Sequence, residues 1–145
     1  MARPRSSGID YFPHDCDAAS DEKIAMLRAE FGNDGYAFYF ILLERIYHSS
    51  DKRLILDSPL ALKVVLDKLM ISEDKFSAMM TLAVQINLFN GTAWDRNKTV
   101  MSTAIHRRVK RIEQERIRKR KEPSTYPFFQ RKNHGKRRIP PLKVK

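Results

Sequence analysis

The sequence has little cysteine and glycine, and these shortages exclude several kinds of site. Cys16 is the single cysteine among 145 residues, so no internal disulfide can form, as is usual in a reducing compartment. The five glycines are scattered and none begins a phosphate-binding loop, which argues against a nucleotide hydrolase. No apolar run approaches the roughly 20 residues that a membrane span needs. We therefore expect a cytoplasmic protein without membrane contact.

The basic residues are concentrated at one end of the chain. Lysine and arginine number 28 against 17 acids, a formal net charge of +11. Residues 104–145 contain 16 cations and 3 acids, whereas residues 1–103 contain 12 cations and 14 acids. A near-neutral body with a strongly basic arm is typical of proteins that bind a polyanion, most often nucleic acid.

Hydrophobic spacing predicts a mainly helical domain with a small β-wing. An irregular lead-in occupies residues 1–20, and the domain itself is expected over 21–103. Its predicted elements are helices at 21–31, 36–48, 58–69 and 73–87 and a strand at 53–56. On the third helix, Leu60, Val64 and Leu69 are predicted to face inward.

Capping and spacing give further predictions. The helix at 36–48 is apolar on nearly every side and is predicted to be the central helix of the core, with a turn at Asn33-Asp34-Gly35 before it. Met70 and Ile71 are predicted to make the turn between the third and fourth helices. The predicted N-caps are Ser20, Asp57, Ser72 and Ser102. The predicted buried stripe of the fourth helix is Phe76, Met79, Met80, Ala83 and Ile86.

The segment after the fourth helix predicts a hairpin. Asn90-Gly91 is a favoured hairpin dipeptide, a loop or helical turn is expected around Trp94, and Val100 and Met101 form the return strand. The element order is then that of a winged helix-turn-helix. A basic helix at 104–121 and a disordered basic tail at 122–145 complete the chain.

The fourth helix occupies the position of a DNA-recognition helix but has few base-reading side chains. Its outward residues are predicted to be Asp74, Ser77, Ala78, Thr81 and Gln85. Either it reads a groove despite this face, or the face is a structural or protein-contact surface. The tip of the predicted wing carries Arg96 and Lys98. It either contacts phosphate or is an ordinary solvated loop.

Residues 10–47 contain a long motif. An aromatic pair and a His-Asp pair are followed by Asp-x-Lys-Ile, Gly-x-x-Gly-Tyr and Leu-Glu-x-Ile-Tyr. The motif residues are Tyr11, Phe12, His14, Asp15, Asp21, Lys23, Ile24, Gly32, Gly35, Tyr36, Leu43, Glu44, Ile46 and Tyr47. With this pattern the chain resembles the N-terminal domain of phage and prophage proteins related to DnaD-type replisome organisers.

That resemblance implies a winged-helix domain that acts in replication initiation or helicase-loader recruitment, in a bacterial or phage-infected cell. Such domains often self-associate or bind replication proteins, so the implied partners include helicase-loader proteins and a second copy of the chain. Replisome organisers of this type usually carry a second helical domain that binds DNA, whereas here a basic segment follows the first domain.

Candidate chemistry in the lead-in is weak. His14, Asp15, Cys16 and Asp17 are potential metal ligands, but adjacent ligands rarely suit one ion and no second ligand pair exists, so capping and hydrogen bonding are the alternative. Cys16 as a nucleophile would need a base, and His14 points elsewhere if the segment is extended. We predict no cofactor, no metal and no enzymatic activity.

The basic helix carries the main functional prediction, contact with a phosphate backbone. The alternative is a solvated helix end whose charge only aids solubility. Its candidate DNA-binding residues are Arg107, Arg108, Lys110, Arg111, Arg116, Arg118, Lys119, Arg120 and Lys121, in addition to Arg96 and Lys98.

The tail contains aromatic side chains among cations, at Tyr126, Phe128 and Phe129. These aromatic side chains can stack on the bases of single-stranded nucleic acid. The alternatives are that the tail docks to another protein or that it is a remnant without function. The sequence as a whole predicts a non-enzymatic DNA-binding protein of phage replication, which binds single- or double-stranded DNA with little base specificity. The alternative is a protein-interaction or oligomerisation adaptor of the replisome, or a transcription regulator.

Overall fold

The computed structural model describes residues 9–121, which form a mainly helical fold with one small antiparallel sheet. A short 3-10 turn at Ala18–Ser20 precedes the first α-helix. The elements in chain order are α1 (Glu22–Phe31), α2 (Asn33–His48), β1 (Leu54–Ile55), α3 (Pro59–Leu69), α4 (Glu73–Gln85), α5 (Gly91–Asn97), β2 (Thr99–Val100) and α6 (Thr103–Lys121). The predicted tail at 122–145, with its aromatic segment, lies outside the described residues. Between residues 9 and 121 no helix is long and apolar enough to cross a membrane.

The central helix of the core is α2, as its nearly continuous apolar sequence predicts. Its buried side chains are Phe38, Leu42, Leu43, Ile46 and Tyr47. Residues from every other helix except α5 join them in one buried cluster, including Leu27, Val65, Met79 and Val109. A helix that is apolar on most sides becomes stable only when other elements cover it, so α2 organises the packing of its neighbours.

The junction between α1 and α2 is tighter than the sequence predicts. Asp21, and not Ser20, caps α1, and its carboxylate accepts hydrogen bonds from the backbone amides of Lys23 and Ile24 at 3.0 and 3.2 Å. The turn predicted at 33–35 is wrong, because α2 begins at Asn33. Gly32 makes the turn alone with a φ of 64°, a conformation that glycine adopts without strain.

The end of α2 is capped by a buried lysine. Lys52 is 6% exposed and has a positive φ, and its ammonium group donates hydrogen bonds to the carbonyls of Tyr47 (3.1 Å) and Ser49 (2.7 Å). The backbone amide of Ile9 donates to the same Tyr47 carbonyl at 3.0 Å. A cation at a helix C-terminus satisfies free carbonyls and interacts favourably with the helix dipole.

The turn between α3 and α4 follows the prediction closely. Met70 adopts the left-handed conformation, and the Ser72 hydroxyl accepts a hydrogen bond from the amide of Lys75 at 3.2 Å, so that it caps α4. Ser58 caps α3 in the same way, where the sequence indicated Asp57. The predicted buried stripe of α4 is confirmed for Phe76, Met79, Met80 and Ala83.

The predicted inward face of α3 is confirmed at Leu69 and wrong at Leu60 and Val64. Val65 and Leu69 are buried, whereas Leu60 is 73% exposed and Val64 is 40% exposed. This helix carries two adjacent apolar stripes, because Leu62, Val65, Leu66 and Leu69 also recur at helical spacing. Spacing alone did not distinguish the stripe that packs on α2 from the one that stays exposed.

The hairpin predicted between residues 88 and 101 is also wrong. The side chain of Asn90 accepts a hydrogen bond from the amide of Ala93 at 2.8 Å and caps α5, so the dipeptide read as a turn begins a helix. A strand does form at the predicted return position, but its partner is β1: Leu54 pairs with Val100 and Ile55 with Thr99. Arg96 and Lys98 therefore lie at the end of α5 and not on a hairpin tip.

We expect Gly35→Ala to destabilise the fold, because the backbone of α1 lies directly against this residue of α2. A Cβ there would lie 2.4 Å from the backbone oxygen of Leu27, which cannot move without shifting α1. Such overpacking costs about 1–3 kcal/mol of unfolding free energy, measurable by urea denaturation. Gly91→Ala is the comparison, since its Cβ would meet one side-chain atom, Val84 Cγ1, at 2.8 Å and no backbone atom within 4 Å. Equal losses in the two variants would contradict this description of the junction.

Candidate nucleic-acid interface

The first half of α6 is attached to the body by an apolar stripe. Ile105 and Val109 are buried in the core cluster, and Ile112 packs partly buried against it. The amide of His106 donates to the carbonyl of Ser102 at 3.1 Å, so helical hydrogen bonding begins at the residue that the sequence indicates as the cap. From residue 113 to residue 121 every side chain is exposed. The helix is thus docked over its first half and projects from the body over its second.

All nine candidate cations of α6 are exposed. The first four, at positions 107, 108, 110 and 111, lie in the half of the helix that packs on the body, so this packing fixes the direction in which they face. Positions 107, 110, 111, 114, 118 and 121 follow helical spacing and lie opposite the stripe of Ile105, Val109 and Ile112. Five of these six positions are Arg or Lys, and the sixth is Gln114. At 1.5 Å per residue, this cationic stripe is about 21 Å long. Within this stripe, Arg111 forms a distant ion pair with Glu115 at 3.9 Å.

A groove of about 600 Å³ runs along the docked half of α6. The lead-in forms one wall with Pro13 and Asp15, and α6 forms the other. The α6 residues that line the groove are Ala104, Arg107, Arg108, Lys110, Arg111 and Gln114. The structure thus gathers four of the predicted cations around one depression and places a carboxylate on its opposite wall.

A second cleft of about 400 Å³ lies further in, between the lead-in, α2 and the start of α6. Burial raises the pKa of the Tyr39 hydroxyl in this cleft, and the nearby positive charge of Arg108 offsets only part of that rise. Because the unperturbed pKa is 10.0, Tyr39 is a neutral phenol at physiological pH. It offers a hydrogen-bonding group beside Arg108 without adding negative charge.

The histidine of the lead-in has a packing role. The His14 ring stacks on Phe40 with centroids 4.2 Å apart, and its Nε2 lies 3.0 Å from the Tyr36 hydroxyl. Cys16 is exposed. In the described part of the chain, no group of three His, Cys, Asp or Glu side chains is placed to hold a metal ion.

The remaining predicted site residues lie elsewhere. Lys98 caps α5 in a left-handed conformation, and its ammonium group lies over the Trp94 ring, 4.9 Å from the centroid. Arg96 is in the last turn of the same helix. Neither residue lines the groove along α6.

The exposed face of α4 agrees with the prediction. Asp74, Ser77, Ala78, Thr81 and Gln85 are all exposed. The one cation of this helix, Lys75, forms an ion pair with Asp34. Because no cation on α4 remains without an acidic partner, the helix is poorly suited to a phosphate backbone.

Two features of the interface were missed by sequence reasoning. The contact of Asp15 with the groove and the position of Tyr39 beside Arg108 both depend on tertiary packing between the lead-in, α2 and α6. The available signal was the charge of residues 10–22, which include five acids and no lysine or arginine. An acidic segment in a chain with a basic arm indicates that the two lie close together.

Comparison with known proteins shows which family the chain belongs to. The model of the Lin1244/Lin1753-like, N-terminal family matches residues 11–105, more than half of the chain, so the chain belongs to that family. It is 43% identical over 47 residues to the uncharacterized phage-related protein Lin1244/Lin1753 of Listeria innocua serovar 6a (strain ATCC BAA-680 / CLIP 11262). That match covers 32% of this chain and 15% of the length of the relative. No solved structure matches the chain. The phage-related part of the predicted resemblance is confirmed.

We expect Val109→Ala to lower the unfolding free energy by about 1–3 kcal/mol, because it removes buried methyl groups that attach α6 to the core. Ile117→Ala is the matched control on the same helix. Its side chain is 54% exposed, so its effect should stay within about 0.5 kcal/mol. Chemical denaturation measures both. Similar losses at the two positions would contradict the division of α6 into docked and projecting halves.

Proposed function

We propose that this protein is a non-enzymatic nucleic-acid-binding protein of phage or prophage replication, which binds DNA through α6. The observation that carries the proposal is the orientation of α6. Ile105 and Val109 are buried, so Arg107, Lys110 and Arg111 are held on the exposed side of α6. A docked helix presents these charges in a fixed direction, which a flexible basic segment would not do.

The composition of this surface favours the phosphate backbone over base edges. Its side chains are almost all Arg and Lys, which bind phosphate in any sequence. In the projecting half, Arg116, Lys119 and Arg120 extend the positive charge around the helix, because no part of the body covers them. We therefore expect little base specificity and strong dependence on salt.

The replication role is inferred from residues 10–47, which resemble the N-terminal domain of phage and prophage proteins related to DnaD-type replisome organisers. The chain belongs to the Lin1244/Lin1753-like, N-terminal family and is similar to a phage-related protein, which supports the phage context. An exposed cationic helix on a small helical body would suit a protein that holds DNA while other replication proteins assemble. Helicase-loader proteins are the partners that this resemblance favours.

A salt series tests the proposal directly. If about six cations of α6 contact phosphates, the logarithm of the binding constant should fall with the logarithm of salt concentration with a slope of about −5. Replacing Arg107, Lys110 and Arg111 with glutamine should reduce that slope by about 3, since each lost phosphate contact removes about one unit. Fluorescence anisotropy with labelled duplex and single-stranded DNA measures the slope.

The matched control removes three charges from the body. Arg28, Arg53 and Lys68 lie outside α6, and their replacement with glutamine changes the net charge by the same amount. We expect this variant to keep the wild-type slope. Substitution is preferable to deletion of α6, because deletion would also remove Ile105 and Val109 from the core. Equal slopes in the two triple variants would show that only the net charge matters and would contradict an interface on α6.

A second candidate function is that of a protein-interaction adaptor. The exposed face of α4 favours it, because that face is polar and its one cation is paired with Asp34. The DNA-binding and adaptor functions predict different results for the triple glutamine variants, because only a DNA-binding α6 makes the salt dependence change with Arg107, Lys110 and Arg111. Absence of DNA binding by the wild-type chain at low salt would favour the adaptor.

A further inference from the structure

The cleft between the lead-in, α2 and the start of α6 borders the groove along α6. Four residues line both depressions, namely Pro13, Asp15, Ala104 and Arg108. The cleft has a volume of about 400 Å³, which is in the range of small-ligand sites. A molecule bound along the cations of α6 is therefore placed to insert one of its groups into the cleft.

Apolar and aromatic side chains form much of the lining of the cleft. They are Phe40, Leu43, Leu88 and Ile105, and the ring of Phe40 stacks on that of His14. Small-molecule sites are mostly lined in this way, with a few polar groups that fix the orientation of the ligand. This lining favours a flat, largely apolar ring over a charged group.

The charges that line the cleft differ between its elements. Three carboxylates, those of Asp15, Asp17 and Asp21, come from the lead-in and the cap of α1. Arg108 comes from α6, and the ammonium group of Lys23 already donates to a backbone carbonyl at 3.0 Å. Carboxylates repel phosphate but accept hydrogen bonds from neutral N–H groups. The cleft is therefore unsuited to a phosphate and suited to a neutral ring that carries N–H donors.

Tyr39 adds a hydrogen-bonding group that the described residues leave unused. Its side chain is partly buried and lines the cleft. Within residues 9–121, no hydrogen bond joins its hydroxyl to another group. A neutral phenol both donates and accepts hydrogen bonds, so it can pair with either kind of group on a ligand ring. A ring in the cleft would thus meet this hydroxyl as well as the carboxylates.

We infer that the cleft binds one unpaired base of a single-stranded nucleic acid whose phosphates contact the cations of α6. The inference rests on the proposed function and adds to it a preference for single strands. In this arrangement the backbone lies along Arg107 and Arg111, and one base turns past Ala104 into the cleft. Each of the four bases has a flat ring and at least one N–H donor, so the cleft requires no particular sequence.

A duplex cannot use the cleft in the same way. Its bases are stacked and paired, so one of them would first have to turn out of the helix, at a cost in stacking and pairing energy. An unpaired base does not have to break a base pair, and stacking on protein side chains is largely independent of sequence. Duplex DNA is thus expected to contact the cations alone.

Binding of the full chain to two single strands of equal charge tests the inference. The first strand carries normal bases, and the second carries abasic sites in their place, so both present the same phosphates. We expect the wild type to bind the normal strand about tenfold more tightly, since stacking of one base commonly contributes that much. Fluorescence anisotropy at one salt concentration measures both dissociation constants.

Ala104→Phe locates the contact, because it places a ring at the boundary between the cleft and the groove. Ala104 is exposed, so the variant should keep its fold, which circular dichroism checks. The difference between the normal and abasic strands should disappear, and the normal single strand should be weakened more than its duplex. Tyr39→Phe, which keeps the ring and removes the hydroxyl, should reduce the difference to about threefold.

The matched control is Ala78→Phe, which adds the same ring at an exposed position of α4 and should keep the wild-type difference. Equal binding of the normal and abasic strands by the wild type, or an undiminished difference in Ala104→Phe, would overturn the inference and leave the phosphate contact of α6 intact. Absence of binding to every one of these DNAs would overturn both the inference and the proposed function. A difference that disappears in Ala104→Phe and persists in Ala78→Phe would support the base contact.

Discussion

The burial of Ile105 and Val109 in the core is the interaction on which the proposed DNA-binding surface of α6 depends. These two side chains fix the rotation of α6 about its own axis, so they also fix the direction in which its cations face. The core that receives them is built around α2, whose buried residues contact elements from both ends of the described chain. Stability of the body and orientation of the charged surface are thus consequences of the same packing.

Charge is unequally divided between the surfaces of the molecule. The cations of α6 face solvent, while Asp15 in the lead-in lies across the groove from Arg107 and Arg108. A polyanion approaching from the lead-in side would meet this carboxylate, whereas residues 113–121 of α6 are exposed throughout. For the proposed DNA contact, electrostatics therefore favour the outer side and the end of the helix. The polar face of α4 and the apolar face of α3 remain available for other contacts.

Local sequence signals predicted much of the helical structure. The Ser72 cap, the buried stripe of α4 and the apolar core of α2 follow from spacing and capping chemistry, which act within a few residues. Predictions failed where the same local pattern allows two outcomes. Asn90-Gly91 suits both a hairpin and a helix start, and α3 has two apolar stripes of which packing selects one. Pairing of β1 with β2 was missed because the strands are short and far apart in sequence.

Mapping the DNA contact residue by residue tests the central claim most directly. In a titration of the ¹⁵N-labelled full chain with a short DNA, followed by amide chemical shifts, we expect the largest changes along α6 from Arg107 to Lys121. Small changes are expected at Ser77 and Thr81 on the exposed face of α4. Changes concentrated on α4, with α6 unaffected, would rule out an interface on α6 and would identify α4 as the element that contacts DNA.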